Sequence, residues 1–309
     1  MSRVVVVGAG VVGLSCAVRL LEAGRRVDVV ARDLPLETTS AVAAAFWYPY
    51  RAAPHDKVAA WGSRTRAVLE EIAAGADGER AGVVLRDGTE VLPRVSPDPW
   101  WASAVPDLRR VEPPRGYADA WSFVSPVVEM PRYLPWLAAR VESLGGTITR
   151  MNLSALPPGG DVVVNATGIG SRHLASDPEV HPVRGQVVVV EQVGLERWWV
   201  ADDGPLPTYV VPRSRDIVLG GTADEGDWSR TPVEETAASI LRRTAELEPA
   251  LAGARVLRHK VGLRPARPSV RVERRGRVVH CYGHGGAGVT VSWGCADEVA
   301  SLAAEVLDD

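Results

Sequence analysis

Gly8-x-Gly10-x-x-Gly13 is the first spacing along the chain that can do chemistry. It follows a run of valines, Val4–Val7, and opens a stretch, Leu14–Ala23, whose apolar residues fit a helix packed on a sheet. In that setting the first glycine permits a tight turn, the second lets the backbone approach a pyrophosphate, and the third allows close helix–strand packing. The helix start offers free N–H groups and a positive dipole end to phosphates. Gly8, Ala9, Gly10, Val11, Val12 and Gly13 are therefore candidate dinucleotide-binding residues. The next strand, Val27–Ala31, ends before Arg32 and Asp33, where an acid usually meets the ribose. Arg32 suits an NADP 2′-phosphate, so a nicotinamide dehydrogenase stays open at this point.

A second constellation lies near the C-terminus, in the run from Val279 to Ala296. Gly283, Gly285, Gly286, Gly288 and Gly294 fall within twelve residues, just before a helix expected over Ala296–Leu307. A nicotinamide Rossmann domain needs only one close-approach loop. Two such loops, at opposite ends of the chain, fit a longer cofactor held end to end, such as FAD. His280 and His284 are four apart, a spacing that suggests a shared helical face for a metal. Tyr282-Gly283 and Gly285-Gly286 argue against a helix there and no third ligand is near in sequence, so no metal is expected.

These residues need elements to hold them. Val4–Val7 is too short for a helix and reads as a buried parallel strand; with the helix closed by Gly24 and the second strand it makes a complete βαβ opening. Residues 32–50 form a loop dense in Thr, Ser and Ala, small enough to admit a ligand closely. Residues 86–132, rich in proline and tryptophan, read as short strands and turns. A helix is expected over Tyr133–Leu144, then strands over Thr147–Met151 and from Val162 toward Gly168. Gln186–Glu191, Tyr209–Val211 and Ile217–Gly221 are further strand candidates. Thr231-Pro232-Val233-Glu234 has the form of a capping box and opens an amphipathic helix to about Leu247. The pattern is α/β: a Rossmann-like FAD-binding domain interleaved with a β-rich (α+β) substrate-binding domain. The cofactor domain is expected over 1–48, 134–182 and 277–309, and the substrate domain over 49–133 and 183–276.

Composition excludes several classes. The chain of 309 residues is 46% hydrophobic and 24% charged, with a formal net charge of -3. This suits a globular enzyme and leaves no basic excess for nucleic acid. No stretch reaches the length of apolar residues that a membrane span needs, and the N-terminus does not read as a signal peptide. Cys16, Cys281 and Cys295 are odd in number and widely spaced, which points to a reducing, cytoplasmic setting without a disulfide framework. The tryptophan pairs Trp100-Trp101 and Trp198-Trp199 read as core or interface. Composition is silent on oligomeric state, and a homodimer stays open.

With these motifs in place the chain resembles the D-amino-acid oxidases, a family that includes the D-aspartate oxidases. The resemblance rests on the Gly8–Gly13 opening, the Thr38–Tyr50 segment, Val162–Gly168 and Pro182-Val183-Arg184-Gly185-Gln186. It continues through Gly220-Gly221-Thr222, Gly226-Asp227-Trp228, Gly262-Leu263-Arg264-Pro265 and the Val279–Ala296 signature. It covers essentially the whole chain. Cys281 departs from the signature, which has Asn, His or Ala there. Pro205 departs too, standing where the vertebrate-type enzymes carry a tyrosine on a mobile lid, so a shortened, rigid lid is expected.

The resemblance implies FAD as cofactor, with Gly8–Gly13 on the pyrophosphate and Arg32 and Asp33 near the adenosine. Thr38, Thr39, Ser40, Ala43, Ala44, Ala45 and Trp47 would line the flavin, and Met151, Thr167 and Gly168 would contact the cofactor. Gly283, Gly285, Gly286, Ala287, Gly288, Val289 and Thr290 would bring backbone N–H groups to the isoalloxazine. Arg264 and Tyr209 would bind the substrate carboxylate, the Gly286 carbonyl would accept from the amine, and Phe46 and Tyr50 would wall the pocket. Arginine suits that role because its planar fork binds a carboxylate bidentately. Arg213, Arg215 and Arg267 are the competing arginines. The implied reaction is oxidation of a D-amino acid by hydride transfer from Cα to flavin N5, with oxygen as acceptor, giving a 2-oxo acid, ammonia and hydrogen peroxide. Tyr50 and Ala223 stand where D-aspartate oxidases place His and Arg, which points to neutral substrates. D-aspartate oxidase is the alternative enzyme, and a non-catalytic dinucleotide-binding protein the alternative class.

Overall fold

A computed structural model describes residues 2–202 and 206–308. Pro205, and the shortened lid expected around it, lie outside the described residues. The expected opening is present as strand Arg3–Val7, helix Val11–Glu22 and strand Arg26–Ala31. The two strands run parallel, with Val4 opposite Val27 and Val7 opposite Val30. Val4 to Val7 are all buried, because helices or loops cover both faces of a parallel strand. Gly8 has φ of +117°, and a Cβ on Gly13 would fall 2.0 Å from the Gly8 carbonyl oxygen. Helix and strand therefore meet at a distance only glycine allows.

Thr147–Arg150, Arg26–Ala31, Arg3–Val7, Val162–Asn165 and Val278–His284 lie side by side, in that order, as parallel strands. Val278–His284 then pairs antiparallel with the long Val256–Arg275 strand, and the sheet continues antiparallel through His181–Glu191, Asp216–Gly220, Thr208–Pro212 and Trp198–Ala201. Beyond a parallel contact with Val83–Leu92 comes Asp119–Val128, again antiparallel. A mixed sheet with helices on its parallel end bears out the expected α/β class. Leu14, Leu20, Leu134, Leu137 and Trp293 bury the helices against Val4 and Val6. An aromatic core of Trp47, Tyr48, Trp101, Phe123 and Trp198 fills one face of the antiparallel part, and Ala237 and Ile240 of helix Glu234–Leu247 cover the other.

Several elements differ from the sequence reading. That reading contains no helix over His55–Ala74, although Val58, Trp61, Thr65, Val68 and Leu69 recur at helical spacing and are buried. Residues 86–132 hold parts of two ten-residue strands, Val83–Leu92 and Asp119–Val128, instead of short pieces. The helix expected from Tyr133 starts at Met130, because Pro131 sits in the first turn, where its missing N–H costs nothing. The capping box at Thr231 does not open its helix, which starts at Glu234. Gln186 holds Val233 extended instead, donating Nε2 to its carbonyl at 2.7 Å and accepting from its N–H at 2.9 Å. The last helix starts at Gly288, not Ala296, and runs to Asp308. Half of the presumed glycine loop is thus the first turns of a helix.

That last helix packs on His55–Ala74 through Gly294, where a Cβ would lie 2.3 Å from Trp61 Cα and 2.4 Å from its carbonyl oxygen. Gly294→Ala must push two helix backbones apart, at about 1–3 kcal/mol for overpacking. A lowered urea midpoint with unchanged slope is the expected outcome; parental stability would mean that the helix pair has slack.

Candidate active site

The parallel strands end at a cavity of about 470 Å³. Helix Val11–Glu22 points its N-terminus into it and carries no side-chain cap; the Val11 N–H goes to Ser40 Oγ at 3.1 Å, and Val12 and Gly13 line the cavity. Gly288 and Val289, the first residues of the last helix, line the same cavity. Two helix N-termini therefore aim positive dipole ends at one space, which suits a ligand with anionic or electron-rich groups at two places. This fits a flavin dinucleotide, with a diphosphate at one end and, at the other, a ring system that gains negative charge on reduction. No acidic side chain sits in the first turn of either helix to compete.

Most of the expected cofactor residues meet here. Gly8 to Gly13, Arg32, Asp33, Thr38, Thr39, Ser40, Ala43, Met151, Thr167, Gly168, Gly285, Gly286, Gly288 and Val289 all line the cavity. Ala44, Ala45 and Ala287 are buried outside the lining, as is Trp47, whose Nε1 donates to the Gly62 carbonyl at 2.8 Å. Thr290 also lies behind the wall, its Oγ1 donating to the Tyr48 carbonyl at 2.8 Å. Gly283 packs against the Arg267 side chain. Arg32 pairs with Asp33 at 2.6 Å. The Thr38–Ala45 loop is fixed from below, with Thr39 Oγ1 on the Leu263 carbonyl at 3.2 Å and Lys260 Nζ on the Ala41 carbonyl at 3.0 Å.

The antiparallel strands bring Arg264 and Tyr209 to the same cavity, which Gly286 also lines, while Phe46 and Tyr50 are not among its lining residues. In the pairing of His181–Glu191 with Val256–Arg275, Gly262 stands opposite Gly185 and Arg264 opposite Val183. The Arg264 guanidinium lies on Gly185, where a Cβ would fall within 2.5 Å of Cζ and both Nη atoms. Arg264 Nη1 donates to the Thr222 carbonyl at 2.8 Å, and among the described residues no carboxylate pairs with it. The competing arginines are otherwise placed: Arg213 pairs with Asp216, Arg267 with Asp177 and Glu179, and Arg215 is exposed. The Tyr209 ring rests on Gly220 and Gly221. Burial pushes its phenol above the ordinary value, while the charge of the adjacent Arg264 works the other way. The Tyr50 ring covers Gly286, and its buried hydroxyl has no hydrogen-bond partner among the described residues. Burial, then the Asp202 charge, pushes that phenol up to about 12, so it stays a neutral donor. Phe46 sits farther back, stacked on Tyr48 with ring centroids 5.6 Å apart.

Other residues at the cavity escaped the sequence reading. Arg230 lines it from the loop after Gly226-Asp227-Trp228, a motif whose place was visible but whose role was not. Cys281 and His284 line it as well. Residues four apart share a face on a strand too, but the positive φ of Gly283 breaks the pleat. His280 turns to Asn165, Nδ1 to Nδ2 at 3.3 Å, while His284 Nε2 lies 3.9 Å from Cys281 Sγ. Ligand atoms of Cys281, His284 and Cys295 fall within 4.8 Å of one another, a grouping hidden in the sequence because Cys295 comes from the last helix. Cys16 is buried in the same core as Cys281 and Cys295.

A glycine-rich turn between a parallel strand and a helix, opening on the same cavity as an arginine-bearing antiparallel sheet, defines a dinucleotide-binding protein with a site for a small acid. Comparison with known proteins narrows the class. Residues 3–302 match the DAO family, FAD dependent oxidoreductase, and the chain belongs to that family. It is 51% identical to a D-amino-acid oxidase of Rubrobacter xylanophilus, covering 99% of this chain and 97% of the relative. It is 47% identical to one of Streptomyces coelicolor, covering 97% and 96%. A glycine oxidase structure from Bacillus cereus superposes with a TM-score of 0.82 at 21% identity, covering 99% of this chain and 95% of that one, and so shares the fold. The family's cofactor is FAD, in agreement with the cavity. No helix among the described residues is long and apolar enough to cross a membrane.

Burial pushes the His284 imidazole down to about 4, so it is neutral in the folded protein at neutral pH. The unfolded chain binds a proton there below about 6.5, so His284 makes stability fall as pH drops from about 6.5 toward 4. The expected contribution is a loss of about 2 kcal/mol at pH 5. Urea unfolding at pH 7 and pH 5 should show a steeper loss for the parent than for His284→Asn; parallel losses would mean that the imidazole is hydrated.

Proposed function

We propose that the chain is an FAD-dependent D-amino-acid oxidase that deaminates neutral D-amino acids to 2-oxo acids and ammonia. The observation that carries this reading is Arg264: a guanidinium laid on Gly185, without a carboxylate partner among the described residues, beside Tyr209 and in the dinucleotide cavity. The D-amino-acid oxidases at 51% and 47% identity support it.

In this reading Arg264 binds the substrate carboxylate through its fork and Tyr209 donates a second hydrogen bond to it. The Gly286 carbonyl accepts from the amine, and Tyr50 shields that contact from water. When bound, FAD supplies the acceptor for the hydride leaving Cα and the path of its electrons to oxygen. The described cavity offers no free carboxylate as a general base: Asp33 pairs with Arg32 and Glu37 with Arg150. Substrate therefore reacts as the neutral amine and gives its ammonium proton to water on entry. The chain contributes orientation, worth up to roughly 7–11 kcal/mol in favourable cases.

The domain assignment follows the same line. The five neighbouring strands of the parallel end fall in 1–48, 134–182 and 277–309, which supports taking those segments as the cofactor domain and 49–133 with 183–276 as the substrate domain. Three free, buried cysteines support a cytoplasmic setting.

Anaerobic mixing with neutral D-amino acids, their L-enantiomers and D-aspartate, followed by flavin absorbance, tests the reading. Bleaching by neutral D-forms alone is expected. Bleaching only by D-aspartate would make the enzyme a D-aspartate oxidase, and none at all would leave a non-catalytic dinucleotide-binding protein. Arg264→Ala should lower kcat/KM by about 10²–10⁴-fold, as for losing one partner of a buried ion pair. Tyr209→Phe should cost about tenfold. Parental kcat/KM in either variant would remove that residue from the carboxylate site.

A further inference from the structure

Five Asp, Glu or Arg side chains line the cavity: Arg32, Asp33, Glu37, Arg230 and Arg264. Arg32 and Asp33 neutralise each other, and Glu37 is taken by Arg150 at 2.5 Å. Two guanidinium groups remain without a carboxylate partner among the described residues. Arg264 is one. The other is Arg230, on the substrate-side loop that follows Gly226.

That loop is fastened on both sides of Arg230. The buried Arg184 donates Nε to the Ser229 carbonyl at 3.2 Å and Nη2 to the Thr231 carbonyl at 2.8 Å. Asp227 Oδ1 accepts from the Ser229 N–H at 2.7 Å, and Gln186 holds both backbone groups of Val233. The backbone flanking Arg230 is therefore fixed while its own side chain reaches the cavity. Asp33 locates that reach: its carboxyl is held below the ordinary range first by its hydrogen bond to Arg32, and the Arg230 guanidinium is close enough to add to the effect. Asp33 follows the strand next to the Gly8–Gly13 turn, so Arg230 stands toward the end of the cavity expected to hold the ADP half of the cofactor, whose charged part is the diphosphate.

Charge requires something there. A dinucleotide diphosphate carries about two negative charges, and one helix N-terminus supplies about half a positive one. Arg32, already paired, adds little. We propose that Arg230 provides the cationic side chain for the diphosphate of the bound FAD, reaching across from the substrate-side sheet. This rests on the family's cofactor and not on the substrate reading. Arg184 and Gln186 then act as positioning residues, holding in place a loop that ties the cofactor to the antiparallel half of the sheet.

Serial dilution of the purified holoenzyme at low and high NaCl, with released flavin read by its fluorescence, gives the FAD dissociation constant and its salt dependence. Arg230→Gln should raise Kd about tenfold at low salt and reduce the salt dependence, while Arg230→Lys keeps most of both. Isolation of Arg230→Gln without flavin, with Arg230→Lys still loaded, counts on the same side. An unchanged Kd in Arg230→Gln overturns the proposal. So does a weakened Kd with the full parental salt dependence, because that assigns Arg230 to packing instead of charge.

Discussion

The pairing of His181–Glu191 with Val256–Arg275 is the constraint on which the rest of the molecule depends. This seam joins the parallel strands to the antiparallel ones, since Val256–Arg275 also pairs with Val278–His284, the last member of the parallel set. Its register sets Gly262 against Gly185 and Arg264 against Val183. Three consequences follow from those few residues. Gly185 leaves room for a guanidinium to lie flat on the sheet, Gly262 receives Val42 and Thr39 of the cofactor loop, and Arg184 reaches the other way to fasten the loop that carries Arg230. A slip of one residue would turn all of these side chains to the opposite face.

The electrostatic plan of the cavity follows from the same seam. Acidic side chains that reach it, Asp33 and Glu37, come from the βαβ half and are matched locally by arginines. The seam contributes Arg264, and the loop it fastens contributes Arg230, each without an acid among the described residues. The buried Arg213 and the half-buried Arg267, away from the cavity, do have carboxylates. Two guanidinium groups thus stand without an acid at the space where anions belong. A net charge of -3 over the whole chain gives no hint of this, because net charge sums over the distribution that matters.

How much of this was legible in the sequence depends on the range of the interaction. The βαβ opening was readable because a valine run, three glycines and a closing glycine are all local signals. The last helix was misplaced by eight residues because glycines at its start read as loop, and only tertiary packing on Trp61 makes Gly294 a helical residue. The Thr231 capping box failed for a related reason: its propensity was real, but Gln186, 47 residues away, overrode the cap by taking both backbone groups of Val233. At the site, Arg264 was named from its surrounding motif. Arg230 was passed over, because its significance comes from Arg184 on another strand and from the pairing of Arg32 with Asp33.

In the proposed reading, a reacting centre with so few titratable groups can still discriminate. Around the expected substrate position stand one guanidinium, two phenols kept neutral by burial, and backbone carbonyls. Among the described residues there, Arg264 is the positive charge without a carboxylate partner, since Arg51 over the Tyr50 ring pairs with Asp202. A second carboxylate on the substrate side chain would meet Tyr50 and the nearby negative charge of Asp202, whose own partner, Arg51 at 3.0 Å, is already committed to it. Losing the hydration of that second charge without gaining a cation is costly. A neutral side chain meets no such penalty. In the proposed reading, preference for neutral substrates needs no dedicated repulsive residue; it follows from setting Arg264, without a carboxylate partner among the described residues, beside two neutral phenols and an Asp202 already paired with Arg51.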